Sequence, residues 1–434
     1  MFQTLVNAFK NKDIRKKILI TIGLLLIYRL GCWLQLPGVS PSWYDAGAEG
    51  ADTFLGLLSA VTGGALQNGA FLAIGISPYI NASIIVQLLT IAIKPLEEWS
   101  KQGDDGRKKL ATLTRILTLV LAVMQSAGIV VSMNNTEGAI SNSIYSVAMP
   151  NWLICIFIAI MLIAGCMFTM WLGERITDYG IGNGISLLIF VGILATAGQS
   201  MLAVIMDIPT RDTAVWELIG FLAMVILIFA FIVFVDAAER RVPIQYAKQI
   251  KGRKQYGGQS TNIPIKLNAS GVLPIIFSTA IITLPQLICS IFAPTSAFYG
   301  WWMKWLGTGT PIYFVLTGLL ILGFSYFYAK IQFNPEDVAR NIQQYGGFIP
   351  GIRPGRPTAE YLARISNRLT LFGAIFLAII AIVPSIIFSI VLPTGTLVNA
   401  FSATGLLIVV SVALEFDKQL ESQLMMKQYK GFLS

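Results

Sequence analysis

The chain has no histidine and little charge. Of its 434 residues, 12% are charged and 55% are hydrophobic, which is the reverse of the polar surface that a soluble chain of this length needs. The absence of histidine excludes histidine-based catalysis, haem ligation through histidine and most zinc sites. The composition therefore indicates a protein that lies in a lipid bilayer.

Cysteine is also scarce. The four cysteines, Cys32, Cys155, Cys166 and Cys289, form no CxxC pair, and each lies in or beside a long apolar run. A redox or metal role would need closely spaced thiols, so we interpret them as packing residues. The sequence predicts neither a metal site nor a cofactor.

Apolar runs long enough to cross a hydrocarbon core of about 30 Å recur along the chain. Ten spans are predicted: 18–36, 74–93, 110–133, 152–172, 181–206, 215–235, 270–292, 311–331, 369–392 and 397–414. We expect helices, because only helices and closed barrels satisfy the backbone in lipid, and barrel strands would alternate apolar and polar residues. A cleaved signal peptide is the alternative for the first run, but no small-x-small cleavage pattern follows it, so we expect this span to be retained.

The net charge of +9 is explained by where the basic residues lie rather than by a nucleic-acid partner. Among 31 Lys and Arg residues, only Arg211 and Lys304 fall in odd-numbered connections between spans. Loops rich in Lys and Arg stay on the cytoplasmic side of a membrane. The sequence thus predicts a multi-pass protein with both termini in the cytoplasm.

The ten spans divide into an N-terminal half, 1–206, and a C-terminal half, 207–434, with five spans each. Because five is odd, the second half enters the membrane from the opposite side, as in an inverted repeat. The second apolar segment of each half is interrupted: 54–66 is apolar but too short to cross and contains Gly63 and Gly64, and the seventh span contains Pro274 and Pro285. Such interruptions indicate a conduction path, although glycine and proline are also common in ordinary membrane helices.

Two cytoplasmic loops, 236–268 and 332–367, are long and basic. The first carries Arg240, Arg241, Lys251, Arg253 and Lys254. In the second, prolines and glycines around Arg353, with Arg356 close by, predict a turn that presents these side chains. We expect the loops to dock a partner with an acidic protein surface, a lipid headgroup or a phosphate backbone, and charge alone does not separate these.

Four stretches resemble the bacterial SecY family, the channel-forming subunits of the Sec protein translocase. They are GGAL at 63–66 with AIGISPYINASIIVQLL at 73–89, MWLGE at 170–174 with GIGNGIS at 180–186, GIRPG at 351–355, and TGLLIVV at 404–410. The resemblance covers essentially the whole chain. It implies an all-α membrane protein with ten transmembrane helices in two inverted five-helix halves, a clam-shell around an hourglass pore, with a re-entrant plug helix at about 53–70.

The resemblance also assigns candidate site residues. The pore ring would be Ile76, Ile80, Ile185, Ile189, Ile276 and Ile408. The plug would include Leu57, Leu58, Thr62, Gly63, Gly64 and Leu66. The lateral gate would contain Ser83, Gln87, Ser278, Thr283 and Gln286. The four-residue spacing of Ile76 and Ile80, and of Ile185 and Ile189, places each pair on one helix face, although ordinary packing or lipid contact is the alternative.

By resemblance, the function is passive conduction of unfolded secretory polypeptides across the bacterial cytoplasmic membrane, and lateral insertion of membrane proteins into its lipid. The chain would not be an enzyme and would not bind DNA directly. Its partners would be SecE, SecG, the SecA motor, the ribosome and a translocating polypeptide with a signal sequence. A secondary transporter of a small solute is the alternative, but the spans lack the buried carboxylates that ion coupling normally needs.

Overall fold

A computed structural model describes residues 6, 8–40, 62–66, 68–135, 140, 143–144, 147–148, 150–207, 214–246, 249–251, 254–256, 260–268, 271–292, 296–307, 310–391 and 403–431. Its helices are α1 (Lys12–Gly31), α2 (Ser77–Ala92), α3 (Lys94–Lys101), α4 (Asp104–Asn135), α5 (Asn151–Tyr179), α6 (Gly184–Asp207), α7 (Ala214–Asp236), α8 (Leu273–Phe292), α9 (Ala297–Leu306), α10 (Pro311–Gln332), α11 (Pro335–Gln344), α12 (Arg356–Val391) and α13 (Ala403–Gly431). Its strands are β1 (Ser143–Ile144), β2 (Val147–Ala148), β3 (Glu239–Tyr246), β4 (Gln249–Lys251), β5 (Lys254–Tyr256), β6 (Ser260–Lys266) and β7 (Gly347–Phe348).

Each of the ten predicted spans overlaps one helix. Helices α3, α9 and α11 correspond to no predicted span. Within the described ranges, six helices are long and apolar enough to cross a membrane, and α2 with α3 forms a seventh candidate that is bent by 103°. In α8, the continuous apolar section that the structure describes is the shorter Leu273–Ile282.

The first span ends before its predicted limit at residue 36. Helix α1 stops at Gly31, and the chain after it pairs with residues at the carboxyl end of the predicted re-entrant segment. The Leu36 N–H donates to the Gly69 carbonyl at 2.8 Å, and the Phe71 N–H donates to the Leu34 carbonyl at 2.7 Å. These bonds satisfy backbone groups inside the membrane protein and fix the approach to α2.

Helix α2 begins at Ser77, with Pro78 in its first turn, where the missing N–H costs no helical hydrogen bond. The chain turns sharply at Ile93 into α3, which carries charges on one side and Leu96 and Trp99 on the other. The Lys109 ammonium lies 5.7 Å from the Trp99 ring centre, so α3 is held against the start of α4 by a cation–π contact.

The two long basic loops, which the sequence analysis predicts to be cytoplasmic, pack together into one small folded unit, which we call the cytoplasmic unit (the described residues of 236–268 and 333–365). Strand β3 pairs antiparallel with β6 from Glu239↔Lys266 to Gln245↔Ser260, and β7 adds to its other edge. Alternation along β3 buries Val242 and Ile244 and exposes their neighbours. The sequence analysis treated these residues as loops and did not predict the sheet, because a strand with one buried face needs only alternate apolar residues and leaves no long hydrophobic run.

An apolar core joins the sheet of the cytoplasmic unit to its helices. Ile342 from α11 and Leu362 from α12 pack with Val242, Ile244 and Ile265 of the strands. Helix α12 runs without interruption over 36 residues from this core into the membrane. The cytoplasmic unit is consequently anchored directly to a transmembrane helix.

The predicted cysteine packing is confirmed for the two thiols that are buried. Cys32 and Cys166 lie in separate apolar clusters, and all four cysteines are free. Their role is to fill space between helices.

Candidate pore and lateral gate

The start of α2 places two of the predicted ring isoleucines in the protein interior. Ile76 is the N-cap residue of the helix and is 3% exposed. Ile80 follows one turn later on the same face and is partly buried. Gly75, with φ of 59°, supplies the left-handed backbone that turns the chain into the helix.

The start of α6 brings the next pair to the same place. The Gly184 N–H donates to Thr177 Oγ1 at 2.9 Å, and the Ile185 N–H donates to Asn183 Oδ1 at 3.0 Å, so side chains satisfy the free N–H groups of the first turn. Ile185 and Ile189 then extend toward the α2 pair. The glycine-rich stretch before α6 thus acts as a helix start, and no strand precedes it as a phosphate loop would require.

Five of the six predicted ring residues share one apolar cluster. Ile76 and Ile189 are among its buried members, and Ile80, Ile185 and Ile408 pack against them. These residues come from α2, α6 and α13. Each of these isoleucines packs with apolar neighbours, and Ile80, Ile185 and Ile408 remain partly exposed.

The sixth residue, Ile276 of α8, belongs to the adjoining cluster. That cluster is built around Ile84, Phe277, Ala280 and Tyr328, and Ile80 packs against both clusters. The six isoleucines are therefore linked through Ile80 into one continuous apolar surface formed by four helices. Their role as a ring around a pore stays a prediction.

The carboxyl end of the predicted plug lies beside this surface. Thr62 is 1% exposed, Ala65 packs in the cluster of the five isoleucines, and Leu66 packs between α4 and α5. Gly63 and Gly64 both have positive φ, at 72° and 82°. The remaining predicted plug residues, Leu57 and Leu58, lie outside the described residues.

At the predicted gate, the bonds described for Gln87, Ser278 and Gln286 do not join α2 to α8 through these residues alone. Gln87 Nε2 donates to Ser83 Oγ at 3.4 Å within α2. Ser278 Oγ instead donates to the Thr317 carbonyl of α10 at 3.2 Å, and Gln286 Nε2 contacts Met303 Sδ of α9 at 3.4 Å. The Thr283 side chain lies outside the described residues. Ser278 and Gln286 thus join helices on one side of the seam between α2 and α8.

A hydrogen bond to α2 comes from Tyr328 of α10, a residue that the sequence analysis did not assign to the gate. The Tyr328 hydroxyl of α10 donates to Gln87 Oε1 of α2. The Tyr328 ring stacks on Phe277 of α8, with ring centres 4.9 Å apart. A tyrosine in an apolar span needs a hydrogen-bond partner for its hydroxyl. This requirement is the signal in the sequence that could have indicated a bond from Tyr328 to a neighbouring helix.

The predicted docking arginines lie on the surface of the cytoplasmic unit. Arg240, Arg241, Arg353 and Arg356 are all exposed. Arg241 Nε pairs with Glu239 at 2.8 Å, and Arg356 Nε pairs with Glu360 at 3.2 Å. Lys251 and Lys254 face each other in the register of the β4–β5 hairpin, and their side chains, like all of Arg253, lie outside the described residues.

The predicted turn around Arg353 is confirmed. Gly351 and Gly355 have φ of 82° and 97°, and the Ile352 N–H donates to the Ile349 carbonyl at 3.0 Å. Thr358 Oγ1 donates to the Arg353 carbonyl at 2.8 Å, which fixes the backbone on which the exposed guanidinium is carried.

Comparison with known proteins decides the family. The SecY family model matches residues 70–416. This chain belongs to the SecY family. The SecY-family chain is 41% identical over 441 residues to protein translocase subunit SecY of Halalkalibacterium halodurans and 40% identical over 449 residues to that of Mycobacterium tuberculosis, with 100% of each chain covered in both comparisons.

Solved structures share the fold of this SecY-family chain. A protein conducting channel has a TM-score of 0.65 at 20% identity, and Sec61 in the canine ribosome-channel complex from the endoplasmic reticulum has a TM-score of 0.62 at 18% identity. Each comparison covers 94% of this chain and 92% of the other. The predicted ten-helix clam-shell is confirmed as the fold, and the chain is a multi-pass channel subunit of a protein translocase.

Proposed function

We propose that the six isoleucines form the constriction of a pore through which unfolded secretory polypeptides cross the bacterial cytoplasmic membrane. The observation that carries this proposal is the continuous apolar surface that α2, α6, α8 and α13 build from these isoleucines. A narrow apolar neck excludes water and ions because it offers no replacement for their hydration shells. Such a neck makes no sequence-specific contact, so it accommodates an extended chain of any composition.

Opening requires the apolar surface to part between α2 and α8. Separation at this seam would expose the pore to lipid and release apolar segments sideways, which is the step that inserts membrane proteins. The Tyr328–Gln87 bond and the packing of Ile84 on Phe277 oppose that separation. The segment at about 53–70 acts as the plug, since its carboxyl end packs against the same isoleucines.

The cytoplasmic unit receives the partners that supply energy and substrate. Exposed arginines at Arg240, Arg353 and Arg356 suit an acidic surface or a phosphate backbone. We assign to this surface the SecA motor and the ribosome, with SecE as a clamp and SecG as an accessory subunit around the membrane part. The chain itself is a passive conduit and not an enzyme.

Both termini lie in the cytoplasm in this proposal, and the two halves divide at 206 and 207. The concentration of basic residues in the even-numbered connections supports that orientation. Lys418 of α13 lies 3.8 Å from Asp236 at the end of α7, which supports a position for both helix ends on one side of the membrane.

Reconstitution tests the function directly. The chain is placed in proteoliposomes with a SecE-type partner, SecA and ATP, and protection of a secretory preprotein from external protease is compared with uptake of labelled small solutes. The proposal expects SecA-dependent protection of the preprotein. Accumulation of a solute against its gradient without preprotein transport would instead favour a secondary transporter.

A further inference from the structure

Arg29 is a charged residue inside the first transmembrane helix, and within the described part of the chain its guanidinium donates to a backbone carbonyl. Its Nη1 donates to the Gly63 carbonyl, 34 residues further along the chain, at 3.4 Å. The residue is partly buried in the last turn of α1. Charged side chains within membrane segments are costly and persist where they have a function. We therefore expect Arg29 to have a functional role.

Gly63 fits between Arg29 and helix α6 because it has no side chain. Its φ of 72° lies in the left-handed region. A Cβ built on it would lie 2.9 Å from the Gly192 carbonyl oxygen and 3.4 Å from Ala195 Cβ, and would collide with Arg29 Nη1. The backbone of α6 cannot yield as a side chain can, so any residue other than glycine displaces the guanidinium.

The neighbouring Gly64 has the same backbone conformation without the same contact. Its φ is 82°, and a Cβ there meets only the end of the Gln199 side chain, at 3.0 Å from Oε1. The two glycines therefore separate the backbone requirement of the turn from the close contacts of Gly63 with Arg29 and α6, and the Arg29→Met background separates these two contacts from each other. They provide a matched pair for experiment.

The Gly63 carbonyl also lies at the point where the re-entrant segment meets the apolar surface of the isoleucines. Thr62, on one side of it, is 1% exposed, and Ala65, two residues beyond, packs in the isoleucine cluster. The Ala70 N–H donates to the Ala65 carbonyl at 2.9 Å, which closes the turn that returns the chain toward α2. A donor that fixes Gly63 thus fixes the carboxyl end of this segment against the pore.

We propose that Arg29 is a positioning residue that holds the carboxyl end of the plug in the closed channel. Its guanidinium anchors the Gly63 carbonyl to α1, and movement of the plug breaks that bond. The inference rests on the proposed plug function of residues 53–70. It adds a named anchor, on a helix outside the predicted gate, that determines how readily the seal is released.

The test uses Arg29→Met, which keeps side-chain length and removes the donor. Two quantities are measured for the full chain assembled with its SecE-type partner: resting ion conductance in a planar bilayer, and the rate at which a membrane-permeant thiol reagent labels Thr62→Cys in a variant without the native cysteines. We expect roughly tenfold increases in open-channel fraction and in labelling rate, which correspond to about 1.4 kcal/mol and to the weak end of hydrogen bonds from a charged donor, as the long 3.4 Å distance implies. Arg29→Lys, which keeps a cationic donor, should restore part of the protection.

The matched glycine variants distinguish an anchor from general damage to the turn. Gly63→Ala should leak more than Gly64→Ala, although both place a side chain at positive φ. In an Arg29→Met background, Gly63→Ala should add less than it does alone, because the bond is already lost. Equal leakage by the two alanine variants would overturn the proposal.

A deletion of residues 54–61 separates failure of this inference from failure of the plug assignment. If the deletion raises conductance while Arg29→Met changes neither conductance nor labelling, the plug is real and Arg29 is not its anchor. If neither variant raises conductance, the segment is not a plug and the anchor proposal falls with it. Assembly with the SecE-type partner is checked for every variant by co-purification.

Discussion

Replacement of Tyr328 by phenylalanine removes the hydroxyl that bonds from α10 to Gln87 of α2 and little else. The aromatic ring remains, so its stacking on Phe277 is kept. Gln87 loses the donor to its Oε1 but keeps its own bond to Ser83. The closed state of the gate should lose stability relative to the open state, while the fold around it is preserved.

The size of the effect follows from the surroundings of the bond. Side-chain hydrogen bonds between membrane helices are worth about 0.6 kcal/mol on average and up to about 1.7 kcal/mol. At about 1.4 kcal/mol per factor of ten, the open fraction should rise between about threefold and about sixteenfold. Gln87 is exposed, so other partners are available to its amide and a large additional desolvation cost is not expected.

The assay is membrane insertion of a test segment of marginal hydrophobicity, for which the fraction released sideways depends on gate opening. Tyr328→Phe should increase the inserted fraction, and Gln87→Leu should add little in the double variant because both changes remove one bond. Ser278→Ala is the control, since it removes a bond to Thr317 that does not cross the seam. An equal gain for Ser278→Ala, or no gain for Tyr328→Phe, would refute the role of Tyr328.

Three further predictions concern the cytoplasmic side. Arg353→Glu should slow SecA-driven preprotein transport without loss of assembled protein, because an exposed charge contributes little to folding. Arg211→Glu, in a connection predicted to lie on the other side of the membrane, is the control, and equal slowing by it would contradict a docking role. In a variant without native cysteines, Thr213→Cys should react with an impermeant thiol reagent outside intact cells and Ser260→Cys should not; the reverse labelling would invert the topology. Leu362→Ala, at a fully buried position, should destabilise the cytoplasmic unit by about 2 to 5 kcal/mol. The measurement is proteolysis of residues 236–268, which should become faster while the membrane part stays intact. Unchanged proteolysis would show that this core does not hold the unit together.

The transmembrane part of the fold was accessible from sequence because each span leaves a long apolar run. Helix α7, for example, covers Ala214–Asp236 against a predicted 215–235. Helix α12 begins at Arg356, well before the predicted start at residue 369, since its first turns bury only one face against the cytoplasmic unit. Helices α9 and α11 were not predicted, because ten residues of mixed polarity are too few to be identified as a membrane span.

The candidate site was accessible only in part. The four-residue spacing of Ile76 and Ile80 predicts a shared helix face, but it does not say which other helices meet that face. The gate shows the same difficulty, because Ser278 and Gln87 both looked suitable for a bond across the seam and only Gln87 makes one. Arg29 stands within an apolar run, and the sequence does not show its carbonyl partner 34 residues away, because that contact is a product of the tertiary fold.

The most direct test of the pore is resting conductance after a polar group is introduced into the isoleucine surface. Ile80 packs against both apolar clusters that contain the predicted ring, whereas Ile379 of α12 is 47% exposed on the outside of the described structure. In a planar bilayer, Ile80→Asn should raise the resting conductance, because the amide offers water and ions a partner in the neck, and Ile379→Asn should not. Equal conductance in the two variants, or none in either, would show that these isoleucines do not seal the channel.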